Sequence, residues 1–353
     1  INTRRGLRWS AADAFLRPAL RRPNLQLRTR ALVQRVLFDG RRASGIAYTQ
    51  DGQARTASAR RAVVLCAGAI QSPQLLQVSG VGPGALLQQH GIPVLLDQPQ
   101  VGQNLQDHLA MSYSYESHRP TLNNQLGSIW GRLWMGMQYV FARRGPLSIS
   151  VNQCGGFVRS APGLAMADLQ LYCNPITYQL KPGATGTRIV PDPFAGFILC
   201  FQPTRPRSRG QVGIAGPDMA TPPLIQPRYL SHPDDIAVAV RGAQLIRRLE
   251  QTPALQSVIK APVGPALAGM DEAAMADDFR SRASTCYHPV GTCTMGSDPA
   301  KSVVDPDLKV HGLDGLYVVD ASVFPTVTSG NTHAPTTLVA HKGAASLLRA
   351  TGA

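Results

Sequence analysis

Long hydrophobic runs are scarce in this chain. The longest, Ala62 to Ile70, is far short of the roughly 20 residues that a membrane helix needs, which excludes a helical spanning protein. No basic segment followed by an apolar stretch and a cleavage site opens the sequence, so no signal peptide is read there. Cysteine is sparse and unpatterned. Cys66, Cys154, Cys173, Cys200, Cys286 and Cys293 include no Cys-x-x-Cys pair and no histidine at zinc-finger spacing. Disulfides are not expected at this density, and a reducing, cytoplasmic setting is the expectation. The 8 histidines contain no His-x-x-x-His pair, so no metal site is expected. Gly (33) and Pro (28) are too few among 353 residues for a collagenous or low-complexity chain.

Lysine is the other shortage. The formal net charge is +14, yet only 5 of the 35 basic residues are Lys. Residues 1–61 hold 14 Arg against 3 Asp and so carry most of the excess. Many of these arginines alternate with apolar residues, as on solvated strand faces. A nucleic-acid arm mixes Lys with Arg and interleaves stacking aromatics, and only Trp9, Phe15, Phe38 and Tyr48 stand in this stretch. No nucleic-acid partner is expected.

What is present has two styles. Residues 7–22 predict a helix with Ser10 as N-cap. Leu25–Thr29, Leu32–Phe38 and Ala43–Tyr48 predict short strands, the last two joined by a turn at Asp39-Gly40. Ala62–Cys66 is apolar at every position and predicts a strand buried on both faces. It runs through Ala67-Gly68-Ala69 to Ser72-Pro73, read as an N-cap and a first helical position, and the helix stops at Gly80. A buried strand, a small-residue crossover and a helix is how a doubly wound sheet offers backbone to a cofactor. From about 110 to 298, Pro-punctuated strand–turn pieces dominate, with a helix at Asp234–Leu249. The first style returns with a strand at Leu316–Asp320 and a helix from Pro335 to Leu348. The fold class expected is α/β plus α+β. A discontinuous Rossmann-like domain (1–108 and 299–353) accompanies a mainly antiparallel domain (109–298).

Four segments carry candidate chemistry: Gly68–Gly82, Val101–His108, Tyr287–Gly296, and Val319–Ser322 continued by Thr328–Thr336. Together they resemble the glucose–methanol–choline family of FAD-dependent alcohol oxidoreductases, most closely its bacterial choline- and alcohol-dehydrogenase-like members. The likeness continues through Arg22–Leu25, Arg207–Gly210 and Tyr229–Ser231, in collinear order over essentially the whole chain. That family opens with a Gly-x-Gly-x-x-Gly turn for the ADP half of FAD. The nearest string here, Gly80-Val81-Gly82-Pro83-Gly84, follows a helix instead of a strand. By resemblance the sequence therefore reads as a fragment with a partial FAD-binding domain, expected to purify nearly colourless by itself.

Alcohol oxidation needs a base for the hydroxyl proton, a donor for the alkoxide and an electron sink. His288, on a loop before Pro289, and His333, near the start of the last helix, suit the first two roles. The resemblance implies that His288 takes the proton, that His333 hydrogen-bonds the alkoxide oxygen, and that hydride passes to the flavin. Close dehydrogenase relatives more often have Asn where His333 stands, so oxidase and dehydrogenase both stay open, as does the electron acceptor. His108, beside Asp107, reads as structural support near the flavin. The resemblance places Val33, Gly68, Ser72, Asn104, Asp320, Ala321, Asn331, Pro335 and Thr336 against FAD. A primary alcohol is the expected substrate. A hydroxynitrile lyase on the same fold, an inactive truncated chain and a basic binding module are the alternatives.

Overall fold

The computed structural model describes residues 2–183 and 186–352. The chain gathers into two units, Ile1–Leu27 with Leu109–Pro203 and Ile236–Ser284, and Arg28–His108 with Thr204–Asp235 and Thr285–Ala353. The sequence reading divided the chain at 108/109 and 298/299; here residues 1–27 cluster with the first unit, and 204–235 and 285–298 with the second.

In the first unit five strands pair antiparallel in the order Cys154–Val158, Leu169–Asn174, Gly196–Pro203, Leu109–Ser117, Ile259–Val263. Gly196–Pro203 is central and buried along nearly its whole length. Its Phe201 stacks on Phe279 of the helix Glu272–Arg282, ring centroids 5.8 Å apart. Full burial of such a ring contributes about 1.5–3 kcal/mol. Gly242, on the helix Pro233–Glu250, lets that helix sit against the same ring. A Cβ there would stand 2.3 Å from Phe201 Cε2.

The helix expected over residues 7–22 is shorter in the structure. Leu7–Arg8 pairs with Thr3–Arg4, and helical turns are confined to Ala12–Leu16 and Arg17–Ala19. Ser10 still caps them, its Oγ accepting from the Asp13 amide at 3.2 Å. Leu25–Thr29 joins no ladder, a correction to the strand expected there.

The second unit holds the meander. Ala31–Asp39, Arg42–Gln50 and Gln53–Ser58 form a three-stranded antiparallel sheet, with Gly40 in the left-handed region at φ +53 in the first turn. Val63–Leu65 pairs in parallel with Leu316–Val318, across some 250 residues of sequence. Val63 and Leu65 are buried, but Val64 between them is 38% exposed, so one face of this strand is open instead of both being covered.

The helix after it runs Gly68–Val78, beginning four residues before the expected N-cap Ser72 and holding Pro73 inside. A proline within a helix deprives the carbonyl four residues earlier of its partner. Here that carbonyl belongs to Ala69, and the Thr292 hydroxyl donates to it at 2.6 Å. The helix begins early because the Asp320 carboxylate accepts from the Gly68 amide (2.8 Å) and from the Ser72 hydroxyl (2.5 Å). The last helix likewise starts at His333, two residues before the expected Pro335, and runs to Thr351. Pro335 is tolerated in its first turn, where backbone amides lack intrahelical acceptors. Among the described residues no helix is long and apolar enough to cross a membrane.

Candidate active site

All the groups in this section belong to the second unit. Its loops converge on one buried carboxylate, Asp107. Oδ1 accepts from the backbone amides of His108 and His288, each at 2.8 Å. Oδ2 accepts from the Tyr229 hydroxyl at 2.5 Å and from the Thr285 hydroxyl. Burial and the hydrogen bond to this carboxylate push the Tyr229 hydroxyl pKa up, so it stays a donor. Asp107 thereby fixes two histidines that are 180 residues apart.

Their rings meet edge to face, Nδ1 to Nδ1 at 3.0 Å. His108 is fully buried, and its Nε2 lies 3.0 Å from the Thr204 carbonyl oxygen. A carbonyl only accepts, so His108 carries its proton on Nε2 and, when neutral, presents a lone pair at Nδ1. His288 must then donate from its own Nδ1, which leaves its Nε2 without a proton. The amide Nδ2 of exposed Asn331 stands 3.0 Å from that nitrogen, where it donates. The chain Thr204–His108–His288–Asn331 thus sets one tautomer at each ring and aims a basic lone pair at its outer end. Burial lowers both imidazole pKa values below the ordinary 6.5. For His108 the bond to Thr204 opposes this in part, and for His288 the charge of Asp107 does. Near neutral pH both rings are uncharged, as a base must be before it acts.

The remaining sequence-derived residues are not all brought together. Gly68, Ser72 and Asp320 come together as described, with Asp320 Oδ1 also accepting from the Ser322 amide at 2.8 Å and so capping the turn that holds Ala321. Asn104 sits at φ +64, and its Nδ2 donates to Thr294 Oγ1 (3.0 Å), the Pro325 carbonyl (3.2 Å) and the Gly291 carbonyl (3.4 Å). Its side chain is engaged as a brace between three loops. His333 is exposed, and among the described residues its ring has no hydrogen-bond partner; it does not join the histidine chain. The Thr336 hydroxyl bonds back to the Thr332 carbonyl of its own helix at 2.7 Å. The sequence assigns His108 a supporting role and none to Asp107, Thr204 or Tyr229; the adjacent Asp107-His108 pair and the Tyr229–Ser231 stretch of the resemblance are the signals that bear on them.

A groove of about 590 Å³ opens beside the parallel pair, lined by Val33, Ile46, Val64, Cys66, Ala67 and Met219 among others. This lies within the usual 300–1,000 Å³ of a small-ligand site. Its apolar walls suit a flat aromatic ring. Next in sequence to Ala67, Gly68 has φ +80 and open space where a Cβ would stand. The residues present therefore fit one end of a dinucleotide and a close backbone approach, while the sequence supplies no glycine-rich turn for a pyrophosphate. No group of three or more His, Cys, Asp or Glu placed to hold a metal occurs among the described residues.

Comparison with known proteins agrees on one family. Two family profiles, both described as GMC oxidoreductase, match residues 1–110 and 206–340. The chain is 40% identical over 358 residues to an alcohol dehydrogenase [acceptor] of Pseudomonas putida, covering 99% of this chain and 62% of that protein. It is 38% identical to an oxygen-dependent choline dehydrogenase of Burkholderia vietnamiensis, covering 96% of this chain and 59% of the relative. Among solved structures, pyridoxine 4-oxidase from Mesorbium loti superposes with TM-score 0.82 at 30% identity, over 98% of this chain and 62% of the other. Formate oxidase of Aspergillus oryzae is alike in fold, with TM-score 0.87 at 22% identity, over 98% and 64%. The chain spans about three fifths of the length of these relatives.

Proposed function

Because the chain belongs to the GMC oxidoreductases, a family of FAD-binding flavoproteins, we propose that it carries the proton-handling machinery for oxidising a primary alcohol to its aldehyde. The observation that carries this reading is the histidine chain, which leaves His288 Nε2 unprotonated at its outer end beside Asn331. His288 takes the hydroxyl proton at Nε2. Its Nδ1–H stays bonded to His108, so the imidazolium that forms is held in place without reorganisation. Asn331 and His333, just before and in the first turn of the last helix, supply donors for the alkoxide oxygen. The positive end of that helix favours the negative charge. FAD, when bound, supplies the acceptor for the two electrons and the carbon-bound hydrogen. The residues that would hold it are Val33 and its groove neighbours at an aromatic ring, Gly68 at a backbone approach kept in shape by Ser72 and Asp320, and Asn104, Ala321, Asn331, Pro335 and Thr336 toward its reactive end.

Two relatives named as alcohol and choline dehydrogenases support the substrate class. Anaerobic addition of a panel of primary alcohols to the FAD-loaded protein tests the reading. Bleaching of the flavin with one aldehyde formed per flavin is the expected result. A flavin that stays yellow while the protein cleaves a cyanohydrin would assign a lyase instead.

A further inference from the structure

The first unit carries a feature with no part in that chemistry. Cys154 and Cys173 stand directly opposite each other in the antiparallel pair formed by Cys154–Val158 and Leu169–Asn174. Cross-strand partners point to the same face, with Cα atoms about 4.5 or 5.5 Å apart depending on the kind of pair. Either spacing lies inside the roughly 4.4–6.8 Å that a disulfide spans. The backbones are tightly apposed here, since a Cβ on the neighbouring Gly155 would meet the Leu171 carbonyl oxygen at 2.2 Å. Cys154 is exposed on the outermost strand of the sheet order, while Cys173 is half-buried one strand in. Of the other cysteines, Cys200 and Cys293 are buried, and among the described residues no other two are brought opposite each other in a ladder.

We propose that Cys154 and Cys173 form a hydroperoxide-sensitive thiol pair that closes reversibly into a cross-strand disulfide. The Cys154 sulfur attacks a peroxide oxygen, the O–O bond breaks, and water leaves a sulfenic acid on Cys154. The Cys173 sulfur then attacks that sulfur, the S–S bond forms, the S–O bond breaks, and a second water departs. Two thiols lose two electrons and two protons to one hydrogen peroxide, giving one disulfide and two waters. The order follows from exposure. Cys154 meets the oxidant, whereas burial and the neighbouring thiol push the Cys173 pKa up to about 11, so it is the slower to react with peroxide directly. In a reducing compartment the pair rests as thiols. Oxidised, it staples the edge strand to the body of the sheet and closes the segment between them into a ring, which restricts the unfolded chain.

Treating the folded protein with one equivalent of hydrogen peroxide, alkylating the remaining thiols and mapping peptides without reductant tests this. The expected result is a 154–173 linked peptide, absent after dithiothreitol, with a thermal midpoint about 2–6 °C higher in the oxidised form. Cys173→Ser is expected to stop at a sulfenic acid on Cys154 that dimedone traps. Recovery of both cysteines in alkylated form, or of Cys154 as sulfinic acid with Cys173 still alkylated, would overturn the proposal.

Discussion

At the residue scale, the decisive feature is a carbonyl. The Thr204 carbonyl oxygen can only accept, and that one restriction propagates through His108 to fix the proton on His288 Nδ1. The same burial has a thermodynamic consequence. Both imidazoles have folded-state pKa values below 6.5, so the unfolded chain binds more protons wherever the pH lies between the two states' values. This contribution to stability is complete above about pH 6.5 and is lost as pH falls below it, with a slope of at most about 1.4 kcal/mol per pH unit for each ring. Urea midpoints measured from pH 7.5 to 5.5 should fall in wild type and fall less in His108→Gln. A midpoint independent of pH in both proteins would contradict the neutral pair. His288 was legible because it stands in a ten-residue motif. Its partner was not, because no local pattern says which ring will meet it from 180 residues away. Asp107 was passed over for the same reason: an Asp at a turn usually bonds its own backbone, and here it holds two loops and a tyrosine.

At the element scale, the helix Gly68–Val78 shows where local rules lose to distant partners. Ser-Pro reads as an N-cap and first position, but Asp320 reaches the Gly68 amide and extends the helix toward the strand. The carbonyl that Pro73 leaves without an amide is then served by Thr292. Removing that hydroxyl leaves a buried acceptor unpaired, so Thr292→Val should cost about 1–3 kcal/mol by urea unfolding. In a Pro73→Ala background the helix can supply its own amide to Ala69, and the same substitution should cost less. Equal costs in both backgrounds would show that the hydroxyl acts elsewhere. The strand–crossover–helix order, the hairpin at Asp39-Gly40 and the helix at Pro233–Glu250 were readable, since each is set by residues within one turn or strand. Leu25–Thr29 was not. Its alternating pattern is that of a strand, but a strand exists only where a partner edge is available, and it joins no ladder.

At the scale of the whole molecule, the +14 charge is concentrated in residues 1–61, and the histidine chain lies outside that stretch. Of the arginines in residues 1–61, only Arg35, Arg42 and Arg55 lie exposed on strands of the three-stranded meander, while Arg28 and Arg30 precede it outside any ladder; the candidate site is built from a buried carboxylate and two neutral imidazoles. Fold class and family were legible from four collinear motifs. The division of the chain was less so, because the segments that alternate between the two units carry no composition change to mark each crossing. The central claim is that His288, held neutral and oriented by His108, is the base. The most direct measurement is the anaerobic rate of flavin reduction by a saturating primary alcohol in the FAD-loaded protein, followed from pH 5 to 9, for wild type and His288→Ala. Wild type should lose rate on an acid limb below about pH 6.5, in line with the lowered His288 pKa, and His288→Ala should be slower by roughly 10²–10⁴ with that limb gone. A variant that reduces its flavin as fast as wild type, or keeps the same acid limb, would contradict the account.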